Sequence, residues 1–323
     1  MGMKSKIIIG SVLALHLRRT QTHRNSMPKN EVKFENALVL SSGGLMGVAW
    51  HLATLERLTE EGKINLNDFD LRVGTSGGGI AVLALGADRN LSDLLVELTS
   101  SSESDSLYTI NPQPLLGKPQ WKVLLSNFSG VKLPHFVLFI SNFLHEGRSS
   151  LHNVEQKINS LLAHSWPSHE TWVVTSASNT NERVVLHSES GVTPGFAASA
   201  TAAVPALFLP RKHEGKNLVD GGVISSTHLD LAIKSAKRKV TVLTTSQGFV
   251  NPLKARNWLK FINLLNENFE EIQLKKIIFE AKIRNIELNI HRPRKEEQAI
   301  FNSSSLMDSS LVNFLVTATL KKA

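Results

Sequence analysis

The sequence predicts an α/β fold with a mainly parallel central sheet, and three observations carry the prediction. Residues 37–100 read strand, glycine turn, helix, strand, glycine turn, helix, the alternation of a layered α/β fold. Ala37 to Ser41 (ALVLS) is an apolar run bounded by polar residues, and Lys239 to Thr245 (KVTVLTT) reads as another buried strand. The 323 residues, with 41% hydrophobic and 20% charged content, are enough for one large domain or two small ones.

At the N-terminus, Lys4 and Lys6 precede an apolar run, Ile7 to Leu17, that is too short to span a bilayer. No small-x-small cleavage site follows it; Arg18, Arg19 and Arg24 come instead. Residues 1–30 are expected to be a leader or disordered arm, with the functional chain starting at Met27, and 31–323 a single domain. The first strand ends at Ser42-Gly43-Gly44-Leu45-Met46-Gly47, and a helix then runs to about Glu61. Val48, Leu52, Leu55 and Leu58 share one face of it, and Gly62 stops it. Asp70 to Val73 alternates like a short strand, and Ile80 to Leu85 reads as a buried helix.

Residues 101–150 differ in character. A polar SSESDS opens them, Pro112, Pro114 and Pro119 interrupt them, and Phe136 to Leu144 is apolar, so a lid or insertion is expected. A helix at about 151–163 precedes a strand pair, Trp172 to Thr175 and Arg183 to His187. From 254 to the end a C-terminal helical extension is expected. A long helix runs from Lys254 to about Arg284, an alternating IELNI (286–290) reads as a final strand, and a last helix covers Leu306 to Leu320. On the long helix Trp258, Phe261, Ile262, Leu265, Phe269 and Ile272 share one face, with basic residues at both ends and Glu267, Glu270 and Glu271 between. That face either packs on the core or lies on anionic lipid.

The absence of cysteine excludes disulfides, thiolate metal sites and a cysteine nucleophile. A net charge of +8 and pI of about 9.6 favour an anionic surface. No nucleic-acid motif accompanies the charge, so acidic lipid is the expected partner and nucleic acid is not. Neither a cofactor nor a metal is expected. The first glycine turn lacks the G-x-G-x-x-G of a dinucleotide fold, and no G-K-[ST] follows either turn.

The chemistry concentrates at Gly74-Thr75-Ser76-Gly77-Gly78, a G-x-S-x-G at a strand-to-helix turn. That context presents Ser76 as a nucleophile above a helix N-terminus; the plain alternative is a tight turn with an incidental serine. A serine needs a base and its oxyanion needs donors. Gly43 and Gly44, at the N-terminus of the first long helix, are candidate donors. For the base, His187, His213, His228 and His291 stand in no distinctive context. Asp220 does, in Leu218-Val219-Asp220-Gly221-Gly222. Upstream, Ala200 to Pro210 (ATAAVPALFLP) is a small-residue helix end broken by proline, suited to a crowded site floor.

In order, SGGLMG, GTSGG, ATAAVPALFLP and DGG resemble the pattern of the patatin-like phospholipase family over about residues 37–250. The resemblance implies a three-layer α/β/α fold and a Ser76–Asp220 dyad without a catalytic histidine. It implies a glycine-turn oxyanion hole at Gly43 and Gly44, and a lipid acyl ester hydrolase of phospholipase A, lysophospholipase or carboxylesterase type. The expected location is cytoplasmic, with peripheral contact with anionic membrane. Two departures stand out: Ser42 replaces the family's usual first glycine, and Met46 its usual Arg or Lys. Loss of that cation points to neutral esters or slow turnover. Gly78 and Gly79 suggest an elbow looser than usual. A catalytically silent lipid-binding protein and an acyltransferase are the alternatives on the same fold.

Overall fold

The computed structural model describes residues 34–100, 150–180, 182–205, 207–248, 258–303 and 309–321. The expected N-terminal arm, and the lid or insertion apart from Ser150, lie outside the described residues.

Among the described residues eight strands form one sheet: β1 (Phe34–Leu40), β2 (Leu71–Thr75), β3 (Glu170–Ala177), β4 (Glu182–Leu186), β5 (Arg211–His213), β6 (Lys216–Asp220), β7 (Ala236–Leu243) and β8 (Glu287–His291). The hydrogen-bonded path is β5-β6-β3-β2-β1-β7-β8, with β4 also paired to β3. The pairs from β3 through β2, β1 and β7 to β8 are parallel. Those of β4 and β6 with β3, and of β5 with β6, are antiparallel.

Around the sheet lie α1 (Gly44–Glu60), α2 (Gly77–Ala84), α3 (Leu91–Ser100), α4 (His152–Leu161), α5 (Pro194–Thr201), α6 (Leu229–Ser235), α7 (Trp258–Ile283), α8 (Lys295–Ser303) and α9 (Val312–Leu320). The period of two along a strand sorts the core into two layers. On β1, Leu38 and Leu40 join a cluster with α1, α2, α4 and α5, while Ala37 and Val39 join one with α6 and α7. The sheet is therefore covered on both faces, and the three-layer α/β/α expectation holds.

Val48, Leu52, Leu55 and Leu58 are all buried on α1, and Gly62 beyond its end sits at φ 65°. That left-handed position is the usual stop for a helix. The C-terminal part, with α7, β8, α8 and α9 among the described residues, is woven into the core. β8 extends the sheet beside β7, and Leu315 and Val316 of α9 pack into the same cluster as α1. Helices α3, α6 and α8 were not anticipated. Of the apolar face expected on α7, Ile272 is partly buried, and the side chains of Trp258, Phe261, Ile262, Leu265 and Phe269 lie outside the described residues. Farther along, Leu274 and Ala281 are buried against α6 and the sheet, while Phe279 and Ile283 are 66% and 70% exposed.

Candidate active site

β3 serves as a common template for two strand ends. β4 and β6 both pair with Thr175, Ser176 and Ala177, so they occupy opposite edges of β3. β2 and β4 both pair with Val173 and Val174, so β2 lies on the edge that β6 also uses. β2 therefore reaches Thr75 opposite Val174, and β6 comes the other way and ends at Asp220 opposite Thr175. Two strands approaching head to head on one edge bring Ser76 and Asp220 together.

Ser76 follows β2 with φ 54° and ψ −123°, a left-handed position for a residue with a Cβ. Such a conformation costs on the order of 1–3 kcal/mol and persists where neighbours over-determine it. Here its N–H donates to Thr201 Oγ1 at 2.8 Å, and the Thr201 hydroxyl donates to the Val174 carbonyl at 2.5 Å. The small-residue segment thus supplies a specific anchor as well as a floor. Sequence reasoning singled out that segment without giving Thr201 a role.

The glycines after Ser76 allow backbone contact. A Cβ on Gly77 would lie 2.3 Å from the Gly44 carbonyl oxygen, and one on Gly78 would lie 2.2 Å from the Leu40 carbonyl oxygen. A Cβ on Gly79 would meet Thr201 Cγ2 at 2.7 Å. The expected looseness of the elbow is corrected: these glycines are the tightest part of it, because α2 starts directly against β1 and the first turn. That turn lies over the elbow, with Gly44 at φ 58° and the helix α1 beginning there. Among the described residues no hydrogen-bond acceptor meets the Gly43 or Gly44 N–H. They lie at the positive end of the α1 dipole, where an anionic oxygen is favoured.

Asp220 is 5% exposed and Ser76 4%. The Ser76 side chain favours the charged form of the Asp220 carboxylate, and the Gly222 N–H donates to Asp220 Oδ1 at 2.7 Å. Burial pushes the Asp220 carboxyl up to about 6, against the pull of those two donors. An aspartate so placed accepts a proton more readily than one in water. Gly221 is required for close approach, since a Cβ there would lie 2.3 Å from the Val174 carbonyl oxygen.

The histidines fall elsewhere. His228, at φ 46°, donates from Nε2 to the Gly221 carbonyl at 3.1 Å, and its Nδ1 faces Arg183 Nη1 at 3.3 Å. This tautomer follows from the carbonyl partner. Arg183 in turn makes a two-pronged pair with Asp230 at 2.7 and 3.0 Å. His228 therefore supports the turn after Asp220. His213 packs its ring on Phe196, His291 ends β8, and the His187 N–H donates to Ser190 Oγ. Met46 is fully buried in the cluster of α1 and α2, so its position turns inward and offers no group to a ligand at the turn.

Among the described residues no cluster of His, Asp and Glu is arranged to hold a metal ion, and no helix is long and apolar enough to cross a membrane. Among curated proteins, none matches the chain. Of solved structures, VipD from Legionella pneumophila is 14% identical, over 94% of this chain and 73% of that one, with a TM-score of 0.36. Human GIVD cytosolic phospholipase A2, in complex with methyl gamma-linolenyl fluorophosphonate, is 12% identical over 93% of this chain, with a TM-score of 0.36. This chain spans 50% of the length of that human chain. The family model of the patatin-like phospholipases matches residues 38–233, from within β1 to within α6, and so takes in both glycine turns, Ser76, Thr201 and Asp220. The chain belongs to the patatin-like phospholipase family.

Proposed function

We propose that the protein is a lipid acyl ester hydrolase in which Ser76 is the nucleophile, Asp220 the general base, and the Gly43 and Gly44 N–H groups the oxyanion donors. The observation that carries the reading is the head-to-head meeting of the ends of β2 and β6, which brings Ser76 to a carboxylate that is 5% exposed and whose proton affinity burial raises to about 6. Family membership supports hydrolysis of a lipid acyl ester. Ser76 Oγ attacks the ester carbonyl carbon while Asp220 takes the hydroxyl proton. The carbonyl oxygen becomes an oxyanion facing the free donors of the first turn; losing one such donor typically costs about 2.7–4 kcal/mol of barrier. Collapse breaks the bond to the alcohol, which leaves with the proton from Asp220. Water, deprotonated by Asp220, then releases the acid from the acyl-serine and restores both groups.

The test is labelling with a fluorophosphonate together with turnover of p-nitrophenyl esters, monoacylglycerols and phospholipids. Both should be present and both should vanish in Ser76→Ala. A protein that neither labels nor turns over any ester is the silent lipid-binding protein, for which the inward Met46 is the argument. Products carrying an added alcohol in place of water would make the protein an acyltransferase.

Contact with anionic lipid belongs to the same reading. Lys275, Lys276, Lys282 and Arg284 are exposed on and just beyond α7. They lie toward the end of α7 that leads into the start of β8, whereas Ser76 lies at the opposite, C-terminal ends of the strands. Vesicle co-sedimentation should need acidic lipid, fall with salt, and weaken when Lys275 and Lys276 become Glu.

A further inference from the structure

Two neighbouring carboxylates on α7, Glu270 and Glu271, have no part in the reaction above, yet each reaches toward the first glycine turn. Glu270 Oε2 accepts from Ser226 Oγ at 3.0 Å and from Ser225 Oγ at 3.3 Å. The Ser226 carbonyl accepts the Ser42 N–H at 2.8 Å. Glu271 accepts Ser246 Oγ at 2.7 Å and holds Arg292 by two prongs at 2.7 and 3.0 Å; Arg292 also donates to the Ser246 carbonyl. Thr245, beside Ser246, donates from its hydroxyl to the Ser42 carbonyl at 2.8 Å. The peptide groups on both sides of Ser42 are thus tethered, one through Ser226 to Glu270 and the other through Thr245 and Ser246 to Glu271. Ser42 immediately precedes Gly43 and Gly44.

We propose that Glu270 and Glu271 are positioning residues that clamp Ser42 from both sides and so aim the Gly43 and Gly44 N–H groups at the oxyanion. The inference rests on the oxyanion role given to those glycines under the proposed function. Preorganised donors stabilise the transition state because they do not reorganise during reaction, so a turn left free to rock loses rate more than substrate binding. The clamp works by reach and hydrogen bonding. Burial, and to a smaller degree the neighbouring Glu271 charge, pushes the Glu270 carboxyl up to about 7, so an amide there resembles its protonated form.

The experiment compares Glu270→Gln, Glu270→Asp and Thr245→Val in p-nitrophenyl ester turnover, beside the wild type and Ser76→Ala. Glu270→Gln keeps an acceptor at the right reach and should stay within about threefold of wild-type kcat. Glu270→Asp keeps the charge but draws it back by one methylene; kcat should fall at least tenfold with KM changed less than twofold. Thr245→Val keeps the shape and removes the second tether, and should show the same split. Combined with Glu270→Asp it should lose less than the product of the two losses, because both act on Ser42. Equal kcat in Glu270→Asp and wild type overturns the clamp, as does an equal fall in Glu270→Gln. So does a change confined to KM or to the thermal midpoint. If wild type is inactive, or Ser76→Ala retains activity, the proposed function fails instead, and the two failures are distinguishable.

Discussion

The two glycine turns look alike as strings, yet they differ in what meets their backbone. In the elbow after β2, the positions a methyl group would occupy on Gly77 and Gly78 already hold backbone of the first turn and of β1. In the first turn a Cβ on Gly43 would also be crowded, 2.8 Å from Gly47 Cα and 2.9 Å from Thr245 Cγ2, whereas one on Gly47, inside α1, would meet nothing closer than 3.8 Å. The elbow turn is closed by the protein itself, which locks Ser76 in its strained conformation. The first turn keeps two N–H groups that no acceptor among the described residues meets, and it is held from behind, through Ser42. Under the proposed function, the first turn is the one that receives the oxyanion.

Breaking the elbow should have the largest effect. Gly78→Ala places a methyl about 2.2 Å from the Leu40 carbonyl, backbone that cannot swing aside. We expect no cooperative unfolding transition in calorimetry and an insoluble product. A soluble variant with a near-normal midpoint would show that the two turns can separate, and the contrast would be gone.

Asp220→Asn sharpens the comparison by separating function from stability. Activity should be lost while the fold gains. The Asp220 carboxyl ionises at about 6 in the fold against 3.8 as a free side chain. Its contribution to stability is therefore complete below about 3.8 and is lost as pH rises through about 6. At pH 8 the variant should be more stable than wild type by about 1–3 kcal/mol, and the gain should shrink toward pH 4. In the wild type, kcat/KM should rise with pH through an apparent pKa near 6. Urea unfolding at both pH values is the measurement; a variant less stable at pH 8 would mean that the site is not under this strain.

Thr201→Val keeps the Cγ2 that touches Gly79 and removes the hydroxyl that takes the Ser76 N–H. A buried donor without a partner costs about 1–3 kcal/mol. Activity should fall about tenfold as Ser76 loses its anchor, and unchanged stability and rate would show that Gly77 and Gly78 hold the elbow unaided. Gly47→Ala should do least. It lies inside α1, where alanine is favoured over glycine by roughly 0.5–1 kcal/mol, so the unfolding midpoint should hold or rise slightly.

The local part of this architecture is legible in the residues. ALVLS and KVTVLTT announce buried strands, the glycine turns mark the strand-to-helix corners, and Val48, Leu52, Leu55 and Leu58 give the face of α1. Pairing between distant segments is not written in periodicity. Nothing local to LVDGG shows that β6 will run against β2 on the same edge of β3, so Asp220 stood out only through its glycines and the family order. Thr201 was hidden in a run of small residues, because one hydroxyl does not alter a packing pattern. Glu270 and Glu271 read as charges that oppose membrane docking, since a helix face seen alone does not reveal the loops beneath it. The α3 signal, Leu91, Leu94, Leu95 and Leu98 at helical spacing, was present and was overshadowed by the unusual stretch after it.

The head-to-head meeting of β2 and β6 also sets an order in time. β1, α1, β2 and α2 are consecutive and close on one another through short connections, so Ser76 can take its place early in folding. β6 must return across a long intervening chain to find its half of the β3 edge, and contacts of that span form late. Under the proposed function, a chain still folding has its serine but not its proton acceptor and turns over no ester. During refolding, far-UV circular dichroism should recover ahead of esterase activity. Simultaneous recovery would show that β6 docks with the first strands and that the delay does not exist.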